Sequence, residues 1–209
     1  MIYRNFLFIV CIVLLPAVAS TAQSVPQFEV ALGYSYMYFH PELPALTTQS
    51  LNGGGVTAVY NVASSLGIVA QMNGYSFGQG WTNKLRDLGY LGASETNMFL
   101  FQFGPQIKKH TGRWQPYAST LYGFAHSEGY AAALRAKGSG TYILTADGGN
   151  NTAFAMEIGG GLDIRLTKTV QLRAGELDYQ LTRFGYKNFS ANQNNLKVFT
   201  GINFTLNAR

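Results

Sequence analysis

Few side chains in this sequence are placed to do chemistry. His126-Ser127-Glu128 is the one segment where an imidazole, a hydroxyl and a carboxylate adjoin, the residue types of a nucleophile with its base and acid. Covalent catalysis needs each partner within hydrogen-bond reach of the next. Consecutive residues of an extended strand point to opposite faces, so His126 and Ser127 meet only if the chain bends between them. The segment reads as a strand running into a loop, and no catalytic residue is assigned. His40, His110 and His126 are dispersed and have no second ligand at a useful spacing, so no metal centre and no other cofactor is expected. Gly53-Gly54-Gly55 and Gly159-Gly160-Gly161 do not precede a helical pattern, as a phosphate-binding loop would. Asn150-Asn151-Thr152 and Asn188-Phe189-Ser190 resemble glycosylation sequons and read as loop.

A second set of charged residues is patterned. Glu29, Glu157, Asp163, Arg165, Arg173, Glu176, Asp178 and Lys197 lie within stretches where apolar residues alternate with polar or small ones. In the last stretch Leu196, Val198, Thr200, Ile202, Phe204 and Leu206 share a face, and Lys197, Phe199, Gly201, Asn203 and Thr205 oppose them. Period-two alternation makes a strand with two unlike faces. Eight such strands are predicted, near 27–39, 54–62, 66–75, 95–108, 113–125, 152–166, 169–182 and 195–206. The two faces of the fifth are not assignable from the sequence, though Trp114 and Tyr117 suit an aromatic girdle. In the seventh, Val170, Leu172 and Ala174 share the apolar face, and an unbroken count would add Glu176 and Asp178 to it. Charges facing lipid cost roughly 2–4 kcal/mol near the midplane for basic residues and less for acidic ones. One extra residue at Ala174-Gly175, a β-bulge, returns Arg173, Glu176 and Asp178 to a common face.

Composition says what the apolar face meets. Only 12% of the 209 residues are charged, against roughly 25% in soluble domains. That is too few to coat the outside of a water-soluble barrel, and enough for the lumen and loops of one in lipid. Arg4, the apolar run Phe6–Leu15 and the small residues after Pro16 read as a signal peptide, residues 1–22, with cleavage after Ala22 preferred and Ala17-Val18-Ala19 a second option. The run is shorter than the roughly 20 residues of a spanning helix, and it contains the only cysteine, Cys11. Residues 23–209 form one domain free of disulfides. The net charge of +5 is scattered apart from Lys108, Lys109, His110 and Arg113. Those residues read as a solvated turn with internal ion pairs, and nucleic acid is not an expected partner.

Connectors near 63–65, 108–112 and 167–168 are short, and those near 40–50, 76–94, 126–151 and 183–194 are long. Short periplasmic turns and long extracellular loops mark outer-membrane barrels. The fold class expected is therefore all-β: an eight-stranded antiparallel up-and-down transmembrane β-barrel in the bacterial outer membrane.

The chain resembles the small eight-stranded outer-membrane barrels of the OmpA/OmpX type over nearly all of 26–207. The resemblance rests on Gly104-Pro105 ending strand 4, Pro116-Tyr117, Gly159-Gly160-Gly161-Leu162-Asp163-Ile164-Arg165, Leu172-Arg173-Ala174 with Asp178-Tyr179, and Gly201-Ile202-Asn203-Phe204-Thr205-Leu206. It implies that Gly201, Phe204 and Leu206 form the signal read by the barrel-assembly machinery, although Asn207, Ala208 and Arg209 follow where an aromatic terminus is usual. It also implies outer-membrane lipids and lipopolysaccharide as surroundings, a monomer, and a structural or loop-borne binding role. Some barrels of this size are lipid A deacylases, which makes His126 and Ser127 the alternative, and a small diffusion channel is a third. Eight strands enclose only enough room for side chains, so the inward charges are expected to plug the lumen as ion pairs.

Overall fold

The computed structural model describes residues 25–40, 48–77, 96–128, 133–135, 142–145, 151–186 and 189–206. The signal segment with Cys11, Trp81, the Lys84-Leu85-Arg86-Asp87 patch, Asn150, Asn188 and 207–209 lie outside the described residues. The described residues form ten strands: β1 Phe28–Phe39, β2 Gln49–Asn61, β3 Leu66–Phe77, β4 Thr96–Lys108, β5 Trp114–Glu128, β6 Ala133–Arg135, β7 Tyr142–Thr145, β8 Asn151–Arg165, β9 Val170–Tyr186 and β10 Phe189–Leu206. Eight close into an antiparallel barrel in the order β1-β10-β9-β8-β5-β4-β3-β2, and β6 pairs with β7 outside it.

The period-two pattern has become two surfaces. Phe28, Leu32, Ile68, Met72, Phe101, Phe103, Ile107, Phe154, Ile158, Leu177, Val198 and Phe204 are outward and exposed, with Phe103 65% exposed. Their alternates face the lumen and are buried. Between Arg183 near the loop end and Lys109 at the turn end, no outward position on the described strands is charged. In water, a continuous apolar belt on a closed barrel would drive aggregation, whereas in a bilayer it is the solvated surface. Tyr34, Tyr36 and Tyr179 end the belt on the loop side, their hydroxyls bonded to Asn52, Ser50 and Asn194. Trp114 is outward and 58% exposed near the turns.

Several expectations are corrected. Gly104-Pro105 lies inside β4 rather than at its end. β2 begins at Gln49, β5 reaches Glu128 and β8 begins at Asn151. The segment expected as a long fourth loop is strand almost throughout, with Phe189 paired to Tyr186 and Asn192 to Arg183. The described outward positions of this ribbon, Arg183, Asn192 and Asn194, are polar, so the apolar stripe that marks the other strands is missing there. β6 and β7 fall in the segment expected as the largest loop.

The irregularity in β9 is where charge burial requires it. Arg173 pairs with Asp163 and Gly201, and Glu176 pairs with Gly161 and Phe199. Ala174 and Gly175 together thus span one position on each neighbouring strand, a β-bulge. Arg173, Glu176 and Asp178 all turn inward, while Leu177 and Tyr179 remain outward. Spin labels at 172–179 in lipid vesicles should reproduce this interruption. Positions 172, 174, 177 and 179 should be accessible to a lipid-soluble quencher and 173, 176 and 178 protected; unbroken alternation through 175 would refute the bulge.

Candidate functional site: the ion-paired lumen

The lumen contains a continuous chain of ion pairs running from the turn end toward the loops. At the turn end, Lys108 Nζ lies 2.5 Å from Glu29 Oε2 and 2.7 Å from Asp163 Oδ2. Glu29 also accepts from Asn61 Nδ2 at 2.9 Å and Asn203 Nδ2 at 2.7 Å. His110 Nε2 sits 2.9 Å from the other Glu29 oxygen, and His110 Nδ1 lies 2.8 Å from the Ser64 carbonyl. Arg173 holds Asp163 with two nitrogens, at 3.0 and 3.3 Å, and donates to Glu176 at 3.0 Å. Tyr117 donates its hydroxyl to the same Glu176 oxygen and lays its ring 4.5 Å from the Arg173 guanidinium.

One layer higher, Lys197 Nζ is shared by Glu157 at 2.7 Å, Asp178 at 3.2 Å and Glu176 at 3.4 Å, and donates to Gln71 Oε1 at 3.3 Å. These three carboxylates lie within 4.8 Å of one another, a grouping that suits a cation. The lysine ammonium occupies that role. Toward the loops Met37, Leu51, Tyr75, Met98, Leu100 and Phe184 form an apolar cluster, and Gln180, Thr182 and Asn195 are buried at that end as well.

Bringing such large groups into eight strands depends on glycine opposite them. A Cβ at Gly161 would lie 2.6 Å from the Tyr117 hydroxyl, and one at Gly159 would lie 2.1 Å from Asp178 Oδ1. Gly159 and Gly161 of the triple glycine in β8 are therefore space for Asp178 and Tyr117. A buried charge taken out of water is tolerable only when paired and hydrogen-bonded, and Lys108, Arg173 and Lys197 each contact two or more carboxylates.

Glu29, Glu157, Asp163, Arg173, Glu176, Asp178 and Lys197 are all buried in the lumen and linked in this chain. Arg165 is not: it ends β8 at the barrel mouth, is exposed, and donates 2.8 Å to the His110 carbonyl. Lys108, His110 and Tyr117 are further members of the network, beyond the charges that the alternation points inward. Lys108 shares the parity of Gln102, Gly104 and Gln106, a signal masked by its adjacency to Lys109 and Arg113. Tyr117 is a lumen residue, only 6% exposed, and not a girdle residue. β5 turns Trp114, Tyr122 and Phe124 outward and Tyr117, Leu121 and Ala125 inward. His126 and Ser127 fall on opposite faces of β5: Ser127 is buried, while His126 Nδ1 lies 2.8 Å from Thr152 Oγ1. Gly201 pairs with Gly33 on the lumen side, and Phe204 and Leu206 face outward.

No family model and no curated protein matches the sequence. Among solved structures, Neisserial surface protein A superimposes with a TM-score of 0.58 at 12% identity, over 86% of this chain and 97% of that one. The attachment invasion locus protein Ail of Yersinia pestis gives 0.49 at 10% identity over 86% and 97%. The outer membrane protein OprG of Pseudomonas aeruginosa gives 0.42 at 11% identity over 89% and 98%. At these identities the likeness is one of fold, and the first of the three carries it.

Replacing Lys197 with Met would leave Glu157, Glu176 and Asp178 buried without their shared cation. Breaking a buried pair costs about 3–5 kcal/mol, so urea unfolding in lipid vesicles should show a loss of that size. His126→Ala, at an outward rim position, should change stability by less than about 0.5 kcal/mol. Equal effects of the two substitutions would remove the network from the barrel's stability. In its strand order, its lipid-facing belt and its filled lumen, the chain has the fold of the small eight-stranded outer-membrane β-barrels.

Proposed function

We propose that this protein is a monomeric, non-enzymatic outer-membrane barrel, a rigid membrane anchor that presents its loop end for structural or binding roles. The observation that carries the reading is the lumen itself, filled by ion pairs at the turn end and by an apolar cluster with buried polar side chains toward the loops. Such a filling favours rigidity over passage, because a solute would have to displace buried, mutually paired charges. Outer-membrane lipids and lipopolysaccharide are the surroundings this reading assigns, and the barrel-assembly machinery its partner during insertion, through Gly201, Phe204 and Leu206. The deacylase alternative draws no support from β5, where an extended backbone separates His126 from Ser127.

The reading is tested by the behaviour of the folded barrel. In gel electrophoresis the unheated protein should migrate differently from the boiled one, and it should need detergent to stay in solution. In planar bilayers it should give no stable large single-channel steps, and lipid A from expressing cells should keep its acyl pattern. Large steps would establish a channel. An altered acyl pattern that vanishes in Ser127→Ala would establish an enzyme.

A further inference from the structure

Among the described residues, the exposed charge at the turn end of the barrel is of one sign and lies on one arc. Lys109 and Arg113 flank the turn between β4 and β5, Arg165 ends β8, and Lys168 lies in the turn before β9; all four are exposed. Among the described residues, no carboxylate forms an ion pair with any of them. The acids near this end, Glu29 and Asp163, are buried in the lumen and held by Lys108, His110 and Arg173. The four positions are spatial neighbours on adjoining strands. Arg165 N donates to the Arg113 carbonyl at 2.9 Å, and Lys109 N to the Pro116 carbonyl at 3.0 Å. The remaining turn, Val62-Ala63-Ser64-Ser65, has no charge.

What lies beside the cations identifies their partner. Ile107, Trp114 and Leu166 are outward and 64%, 58% and 53% exposed, each within two residues of a basic position. Lys109, Arg113 and Lys168 therefore stand just past the edge of the lipid-facing belt, at the level of phospholipid phosphates, with stems long enough to lie along apolar surface, while Arg165 caps the mouth beside them through the His110 carbonyl. A soluble anionic partner would gain nothing from that exposed tryptophan and the two aliphatic side chains. We propose that this arc is a binding surface for anionic phospholipid headgroups of the leaflet facing the turns. The proposal rests on the membrane-barrel reading and adds to it a lipid selectivity confined to one side of the barrel.

Trp114 is the natural reporter. Of the two tryptophans, Trp81 is removed as Trp81→Phe, and the barrel is reconstituted in vesicles of brominated phosphatidylglycerol or brominated phosphatidylcholine mixed with the unbrominated other lipid. A basic residue near an anionic bilayer contributes about fivefold in local partitioning. At low salt Trp114 should be quenched preferentially by the anionic lipid, by at least that factor in relative binding constant. The preference should collapse at high salt and in the combined variant K109Q/R113Q/R165Q/K168Q. Equal quenching by both lipids at low salt, a preference indifferent to salt, or one that survives the combined variant would each overturn the proposal. Should that variant fail to fold, the salt titration of the Trp81→Phe protein decides alone. Absence of quenching by either lipid would instead overturn the membrane reading itself.

Discussion

Everything in this barrel is organised by the narrowness of its interior. Eight strands leave room for side chains but not for water to solvate them, so each inward charge must find its counter-charge within the wall. Lys108, Arg173 and Lys197 each bridge carboxylates from different strands. The bulge in β9, the glycines of β8 and the inward turn of Tyr117 are all consequences. Each lets one more member of the network into the same small volume.

The outer surface obeys the opposite rule and is independent of the inner one. It needs only apolar side chains of any shape, bounded by groups that tolerate an interface. This explains how a chain only 12% identical to Neisserial surface protein A can share its fold. The two faces of each strand are constrained separately, one by lipid and one by a particular set of partners.

That division decides how much could be read without coordinates. Strands with a clean apolar stripe, such as β8 and β10, are visible because lipid enforces the alternation along their length. The bulge was legible because an acidic pair would otherwise have faced lipid. β5 was not, since Pro116, Ala118 and Thr120 on its outer face are no more apolar than Tyr117 and Leu121 on its inner one. The loop-side extensions of β9 and β10 turn polar Arg183, Asn192 and Asn194 outward, and without an apolar stripe they give no signal. Lys108 and His110 were hidden for another reason. Local charge density suggested a solvated turn, and only the closure of the barrel shows that Lys108 points inward to meet Glu29 from β1 and Asp163 from β8. Ion pairing across 79 and 55 residues of sequence leaves no local trace.

The seam between the first and last strands has a consequence for how the barrel comes into being. Glu29 lies on β1, while Lys197 and Asn203 lie on β10, the last of the described strands. Until β10 docks against β1 and β9, Glu157, Glu176 and Asp178 share no lysine and Glu29 lacks one of its amide donors. Without β10, Glu29 keeps Lys108 and Glu176 keeps Arg173, whereas Glu157 and Asp178 have no other basic partner among the described residues. Docking of β10 brings Lys197 to three carboxylates of β8 and β9 at once, so the lumen network is complete only in the closed barrel.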